Sequence, residues 1–337
     1  MKTIVSGIQA TNSLTIGNYF GAIQNFINLQ NDSKMYIFVA DMHSITTSFN
    51  PTELNANRLN VAHLYAACGL NFDTNLVFFQ SSVFAHTQLA HILLCHSYMG
   101  ELNRMTQFKD KSQKAVMANK TTNIPSGLFT YPCLMAADIL LYDADLVPVG
   151  KDQKQHLELT IDLAQRMNKK YNTPLFKIPE IYQAKVGAKI MDLVDPTIKM
   201  SKSSANQKGV IFLLDAIDLA RTKIMQAKTD SLNCVKYDVV NQPGISNLMS
   251  IYSCLTNYDF NTIEKMFENQ NYGTFKKAVA DKLCQFLANI QTKFNQLKNT
   301  DTVYQKMVNN AKTCNAIANQ KLNFIQKTIG LDTYKGN

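Results

Sequence analysis

None of the seven cysteines stands in a CxxC pair, and the six histidines show neither HxxxH nor HExxH spacing. That argues against zinc and iron–sulfur frames, and the odd cysteine number argues against a disulfide framework. The expectation is reduced thiols in a cytoplasm, with no protein-bound metal and no metal cluster. No stretch holds about 18 consecutive uncharged apolar residues, so neither a membrane-spanning helix nor a membrane partner is expected. Met1-Lys2-Thr3-Ile4-Val5 leads straight into a polar, glycine-bearing stretch, not into the long apolar run of a signal peptide. Tryptophan is absent altogether. With abundant Asn and Lys, this reads as coding bias toward A+T and carries no chemistry.

What is present describes a globular chain with room for two domains. Hydrophobic residues make up 46% of 337. Charge is uneven. Residues 1–195 hold 16 Lys and Arg against 15 Asp and Glu, whereas 196–337 hold 18 against 10. A near-neutral first part and a basic second part point to a polyanion at the second, with a solubilising surface as the plain alternative. Lys276 and Lys277 are taken as exposed phosphate contacts.

Read in order, the first part alternates strand and helix. Ile4-Val5-Ser6-Gly7 ends a short strand. A polar turn follows, and Thr15-Ile16-Gly17-Asn18 opens a helix with Ile16, Phe20, Ile23 and Ile27 on one stripe. Outward N–H groups at such a start favour an anion, and Gly17 permits close approach. Residues 35–41 form an apolar run ending in Asp41 and His43, suited to a strand buried on both faces. Asn50-Pro51 starts a helix that Gly69 stops. A second buried strand spans 76–80, helices are expected at 87–98 and 106–118, and 129–142 is an apolar helix. In it Tyr131, Met135 and Asp138 share a face. A buried carboxylate needs a donor, and for Asp138 a neighbouring element and a ligand are equally open. A strand over 146–150, a long amphipathic helix to about 170 and an apolar segment at 186–194 complete the part. The pattern predicts an α/β fold with an open, mostly parallel sheet and ligands at the carboxyl ends of its strands. Beyond 205, stretches at 215–227, 243–255, 258–270, 273–297 and 302–328 fit helices, giving a second, mainly α-helical domain.

Just after the break at Asp195-Pro196 stands Lys199-Met200-Ser201-Lys202-Ser203. Two ammonium groups on a mobile loop can close over a polyphosphate. A solvated basic loop is the plain alternative.

This pentapeptide is identical to the KMSKS motif of the class I aminoacyl-tRNA synthetases. Gly7-Ile8-Gln9 … Thr15-Ile16-Gly17-Asn18-Tyr19 looks like the HIGH region of that family, whose fold is Rossmann-like. More narrowly, the chain resembles the bacterial tryptophanyl-tRNA synthetases. The stretches that say so include Met135-Ala136-Ala137-Asp138, Val147-Pro148-Val149-Gly150, Asp152-Gln153-Lys154-Gln155-His156 and Pro243-Gly244-Ile245-Ser246-Asn247-Leu248. The likeness spans about residues 2–275. Three departures stand out. Ala10-Thr11-Asn12 replaces the family's usual Pro-Ser-Gly, Lys151 stands where an acid is usual, and Ser204-Ala205 follows the loop where Asp-Pro is usual.

The resemblance implies a catalytic domain over 1–195. It implies that 196–337 carries the loop and a basic region for tRNA and its anticodon, with the C-terminal helix packing back on the catalytic domain. It implies activation of L-tryptophan by ATP, with Mg2+ carried on the nucleotide, then transfer to tRNA(Trp) by a cytoplasmic homodimer. Catalytic roles fall on Lys199, Lys202, Thr15, Asn18 and Gln9. ATP is expected at Gln9, Ala10, Thr11, Gly17, Asn18, Gly150, Lys151, Asp152, Ile190, Lys199, Met200, Ser201, Lys202 and Ser203. Tryptophan is expected at Asp138, Tyr131, Met135, His43, Val147, Val149, Gln153, Val5 and Gly7. A tyrosyl-tRNA synthetase and a non-catalytic nucleotide-binding module on the same fold are the competing readings.

Overall fold

Three apolar runs make the middle of the sheet: β1 (Lys2–Gln9), β2 (Ser33–Ala40) and β3 (Leu76–Phe79). β4 (Leu146–Pro148) and β5 (Glu180–Tyr182) extend it on the other flank. All neighbours pair in parallel, in the order β3-β2-β1-β4-β5. The computed structural model describes residues 1–11, 13–46, 48–119, 123–150, 153–182, 189–202, 204 and 206–331.

Alternation along the strands sorts the core into two faces, because successive side chains point to opposite sides. Ile4, Ile8, Met35, Ile37, Val39, Val77 and Phe79 look one way. Against them lie α1 (Ile16–Asn18), a π turn (Tyr19–Ile23), α2 (Gln24–Leu29) and, beyond the single turn α3 (Asp41–Ser44), the helix α4 (Pro51–Ala67). Asn50 caps α4 by accepting the N–H groups of Thr52 and Glu53, and Gly69, at φ 108°, turns the chain out of it. Val5, Tyr36, Phe38, Ala40 and Phe78 look the other way. On that face sit α5 (Ala85–Leu94), α6 (Met99–Asn103), α8 (Ser126–Leu140) and α9 (Lys154–Lys170), with α7 (Thr106–Asn119) preceding α8.

The second part does not build a separate core. α10 (Ile217–Met225), α11 (Pro243–Thr256), α12 (Phe260–Met266) and α13 (Tyr272–Lys298) share the first face with β1 and β2. Residues 14–16 pair with 211–213, through Ile16 N–H to the Ile211 carbonyl at 3.1 Å and Leu213 N–H to the Leu14 carbonyl at 2.8 Å. α14 (Thr302–Thr328) crosses to the opposite face, where Cys314, Ala318, Leu322 and Ile325 join Val5 and Phe78. Asn315 Nδ2 ties it to the Ser82 carbonyl at 2.6 Å.

Three expectations change. The helix expected at 87–98 is α5, which starts at Ala85 and already ends at Leu94. Of the apolar segment at 186–194, residues 189–194 add no strand to the sheet, whose last strand among the described residues is β5; residues 183–188 lie outside the described ones. From 189 to 200 the chain doubles back, with Met191 opposite Lys199, Asp192 N–H on the Ile198 carbonyl and Met200 N–H on the Ile190 carbonyl. The Asp192 carboxylate makes the bend by accepting the N–H groups of Val194 and Asp195 at 2.8 and 3.0 Å. Lys276 is not a free phosphate contact. It is half-buried and donates to the Ala227 carbonyl at 2.7 Å, finishing α10. Lys277 is exposed.

Gly244, in the first turn of α11, lies against the 228–229 backbone. A Cβ there would stand 2.0 Å from the Lys228 carbonyl oxygen, which has no flexible end to move. Gly244→Ala is therefore expected to cost about 1–3 kcal/mol as an overpacked contact, seen as a lower urea midpoint at unchanged slope.

Candidate active site

Strand order reverses at β1, and β1 pairs with β4 only at Ile4 opposite Leu146. Beyond that point the carboxyl ends of the two strands flank an open crevice, the place where parallel sheets take ligands. Gly7 and Gly150 are exposed in it, and Gln9 and Val149 half-buried. Gly7 cannot carry a side chain, because a Cβ would stand 2.6 Å from the Phe38 ring.

On one side of the crevice the helix start is preorganised. Thr15 Oγ1 accepts Asn18 N–H at 3.2 Å, while Asn18 Oδ1 accepts Thr15 N–H at 3.0 Å, a closed capping box. A Cβ at Gly17 would touch the Cβ atoms of Ile190 and Met200, both at 3.9 Å. The doubled-back segment is thus seated on this helix start. Asn247 holds it there: its Oδ1 accepts Met191 N–H at 2.8 Å and its Nδ2 donates to the Met191 carbonyl at 2.9 Å. Ile190 and Met200 are buried in the core and Lys199 and Ser201 exposed. Lys202 reaches back to the end of β1, donating from Nζ to the Gln9 carbonyl at 3.0 Å. Burial pushes its ammonium pKa down to about 8. Beside it opens a cleft of ≈ 490 Å³ lined in part by Ser13, Asn57, Lys202, Gln207 and Asp215.

On the other side, α8 presents Asp138, which is 2% exposed. Its Oδ1 accepts Gln80 Nε2 at 2.7 Å and His86 Nδ1 at 2.5 Å; its Oδ2 accepts His43 Nε2 at 2.8 Å and Gln80 Nε2 at 2.9 Å. A carboxylate only accepts, so both imidazoles turn an N–H toward it. The other ring nitrogen of His86, Nε2, meets the Tyr142 hydroxyl at 2.8 Å. Burial works against this charge, yet the bonds and nearby charges of His43 and His86 hold the Asp138 carboxyl below its ordinary value. Next to this cluster Tyr131 Oη meets His156 Nε2 at 2.9 Å, and His156 Nδ1 meets Gln153 Oε1 at 2.9 Å. The Tyr131 ring lies edge-on to His43, with centroids 6.1 Å apart.

The crevice accordingly brings Gln9, Ala10, Thr15, Gly17, Asn18, Ile190, Met200 and Lys202 to one side. Val5, His43, Tyr131, Met135, Asp138, Val147 and Val149 lie on the α8 face of the sheet. Lys151, Asp152 and Ser203 lie outside the described residues. Sequence reasoning missed Gln80, His86, Tyr142, Ser44 and Asn247. Gln80 could have been found, since it ends a buried parallel strand. His86 could not, because nothing near it in sequence marks its partner 52 residues away. Among the described residues no three His, Cys, Asp or Glu side chains gather as metal ligands, and no helix is long and apolar enough to cross a membrane.

Residues 1–288 match the family model described as tRNA synthetases class I (W and Y). The chain is 71% identical over 336 residues to a tryptophan–tRNA ligase of Malacoplasma penetrans (strain HF-2), covering 100% of both chains. It is 47% identical over 330 residues to that of Bacillus subtilis (strain 168), covering 98% of each. It superposes on tryptophanyl-tRNA synthetase from Mycoplasma pneumoniae with a TM-score of 0.92, 40% identity and 98% coverage of each chain. The Campylobacter jejuni tryptophanyl-tRNA synthetase, complexed with ADP and tryptophan, gives 0.81 at 29% identity, covering 98% of this chain and 100% of that one.

Removing the Asp138 carboxylate would strand three buried donors, so Asp138→Ala is expected to cost about 3–5 kcal/mol. Because the folded pKa lies below the ordinary 3.8, this stabilisation is whole above about pH 4. It is lost as pH falls through the lower folded value. Urea unfolding from pH 7 to 2 checks it: the acid loss should be shallower in Asp138→Asn than in the unaltered chain.

Proposed function

Since the chain belongs to the class I tRNA synthetases (W and Y), we infer how its crevice divides the work of that family. The activity is tryptophan–tRNA ligation. L-tryptophan attacks the α-phosphate of ATP to give tryptophanyl-adenylate and pyrophosphate, and the amino acid then passes to the 3′ end of tRNA(Trp). The first step asks the protein for alignment and charge management, with little covalent work.

The observation that carries the assignment of residues is the bond from Lys202 to the Gln9 carbonyl. It joins the lysine loop to the end of β1, where the strand order reverses. In this reading the phosphates lie between the Thr15–Asn18 helix start and the ammonium groups of Lys199 and Lys202. The main chain of residues 9–11 and of 200–203 closes around them. Adenosine lies by Gly150, Lys151 and Asp152 and near Ile190, and ATP brings its own Mg2+. Exchanging the Gln9 carbonyl for anionic phosphate oxygens stabilises the Lys202 ammonium on binding.

Tryptophan lies on the α8 side, over Gly7 and Val5 and between Tyr131, Met135, Val147 and Val149, with Gln153 at its polar edge. Its indole N–H takes an Asp138 lone pair by displacing a donor. Among the three donors His43 is 7% exposed, against 0% for Gln80 and His86, which makes His43 the one to yield. The basic second part, carrying exposed Lys277, meets tRNA. Exposed Phe84, just before α5, and exposed Tyr98 and Met99, at the start of α6, fit the family's homodimer, and the cytoplasm supplies its substrates.

Pyrophosphate exchange measured with tryptophan, with tyrosine and with neither should proceed with tryptophan alone; equal exchange with tyrosine would overturn the reading. Lys202→Ala should slow it by two or more orders of magnitude, roughly 3–4 kcal/mol for one charged donor, and leave tryptophan affinity nearly intact. ATP affinity of the unaltered chain should weaken as pH rises through about 8, where the Lys202 ammonium loses its proton before ATP binds, and this limb should vanish in Lys202→Ala.

Charge reversal at Lys277 and at neighbouring exposed lysines such as Lys282 should weaken tRNA binding and flatten its dependence on salt. Filter binding from low to high salt reads both. Unchanged binding across such reversals would move the tRNA site elsewhere.

A further inference from the structure

The peptide unit between Gln9 and Ala10 is held at both ends. Its carbonyl accepts Lys202 Nζ at 3.0 Å, and its N–H donates to Ser44 Oγ, also at 3.0 Å. The Ser44 hydroxyl hands its own proton to the Ala40 carbonyl at 3.0 Å. Ala10 is 0% and Ser44 1% exposed, so bulk water cannot substitute at the amide. A buried N–H left without an acceptor costs about 1–3 kcal/mol. Because the peptide is planar, fixing its N–H also fixes the direction of its carbonyl.

We propose that Ser44 is a positioning residue for the lysine loop. By holding the Ala10 N–H it aims the Gln9 carbonyl at Lys202 and so sets where that ammonium rests before the nucleotide arrives. The inference rests on the reading that Lys202 acts on ATP.

Three further features fit this role. The bonds run in series, Lys202 to Gln9–Ala10 to Ser44 to Ala40, and hydrogen bonds in a low-dielectric chain strengthen one another. Ser44 belongs to α3, whose preceding residue His43 bonds Asp138, so the turn that steadies the ATP side also carries a donor of the tryptophan side. Position 10, moreover, holds alanine. Proline has no N–H to satisfy; alanine has one, and Ser44 supplies its acceptor.

Loss of the hydroxyl should then loosen the ATP side selectively, since preorganisation lowers the cost of ordering a loop. Pyrophosphate exchange is measured for the unaltered chain, Ser44→Ala, Ala10→Pro and the double variant, with Lys202→Ala alongside and melting temperatures for each. Ser44→Cys, close in size with a weaker acceptor, serves beside Ser44→Ala against a folding failure. The expected result is an ATP KM raised about 3–10-fold by Ser44→Ala, with tryptophan KM within about twofold. In the Ala10→Pro background, where no N–H awaits Ser44, the same change should move ATP KM by less than about twofold.

An equal effect in both backgrounds overturns the proposal, because Ser44 would then act without the Ala10 N–H. So does a parallel rise in tryptophan KM. An unchanged ATP KM in Ser44→Ala, with Lys202→Ala impaired, overturns it and leaves the ATP reading standing. Normal ATP kinetics in Lys202→Ala overturns both.

Discussion

Eight register pairs bind β1 to β2, from Lys2 opposite Ser33 to Gln9 opposite Ala40, while β1 and β4 share one, Ile4 opposite Leu146. That asymmetry is the constraint on which the proposed chemistry depends. A parallel sheet covered on both faces leaves its backbone groups free only at strand ends. Where two strands part, those free groups face an opening with apolar walls already in place. The Gln9 carbonyl is such a group, and the loop lysine finds it from 193 residues away. Long-range order here comes from a missing ladder as much as from a present one.

Asp138 shows the same economy on the other side. A lone carboxylate in an apolar helix would neutralise itself by shifting its pKa upward. Here two imidazoles and an amide from three separate elements converge on it, and the balance tips the other way. The cluster thereby ties α3, the turn after β3, α5 and α8 into one unit. In the proposed reading, a substrate donor entering it would exchange one hydrogen bond for another instead of burying a bare charge, which would keep the cost of binding low and the demand for a donor high.

Much of this was legible in the residues. The runs at 35–41 and 76–80 became β2 and β3, Asn50-Pro51 and Gly69 bounded α4, and the long helices after 240 fell close to their periodicity. The shared face of Tyr131, Met135 and Asp138 was also visible. Who stands across from that face was not, because helical spacing reports a residue's own orientation and Asp138 bonds partners 52, 58 and 95 residues away. The fold-back at 189–200 was missed for a different reason. It is held by Asp192 and by the amide of Asn247, which are side-chain bonds to main chain, and an apolar run gives no sign of them. Lys276 was misread because a lysine that finishes a helix and one that meets solvent look alike in sequence.

The crossing of α14 to the α8 face sets an order for the birth of the molecule. Chains emerge from synthesis amino end first, at about 5–20 residues per second. β1, β2 and β3 are complete by residue 79, yet the apolar surface around Val5 and Phe78 waits for Cys314, Ala318, Leu322 and Ile325. For most of its time on the ribosome the nascent sheet therefore carries one unfinished face. It is closed only when residues more than 230 positions downstream arrive, as in the bond from Asn315 to Ser82.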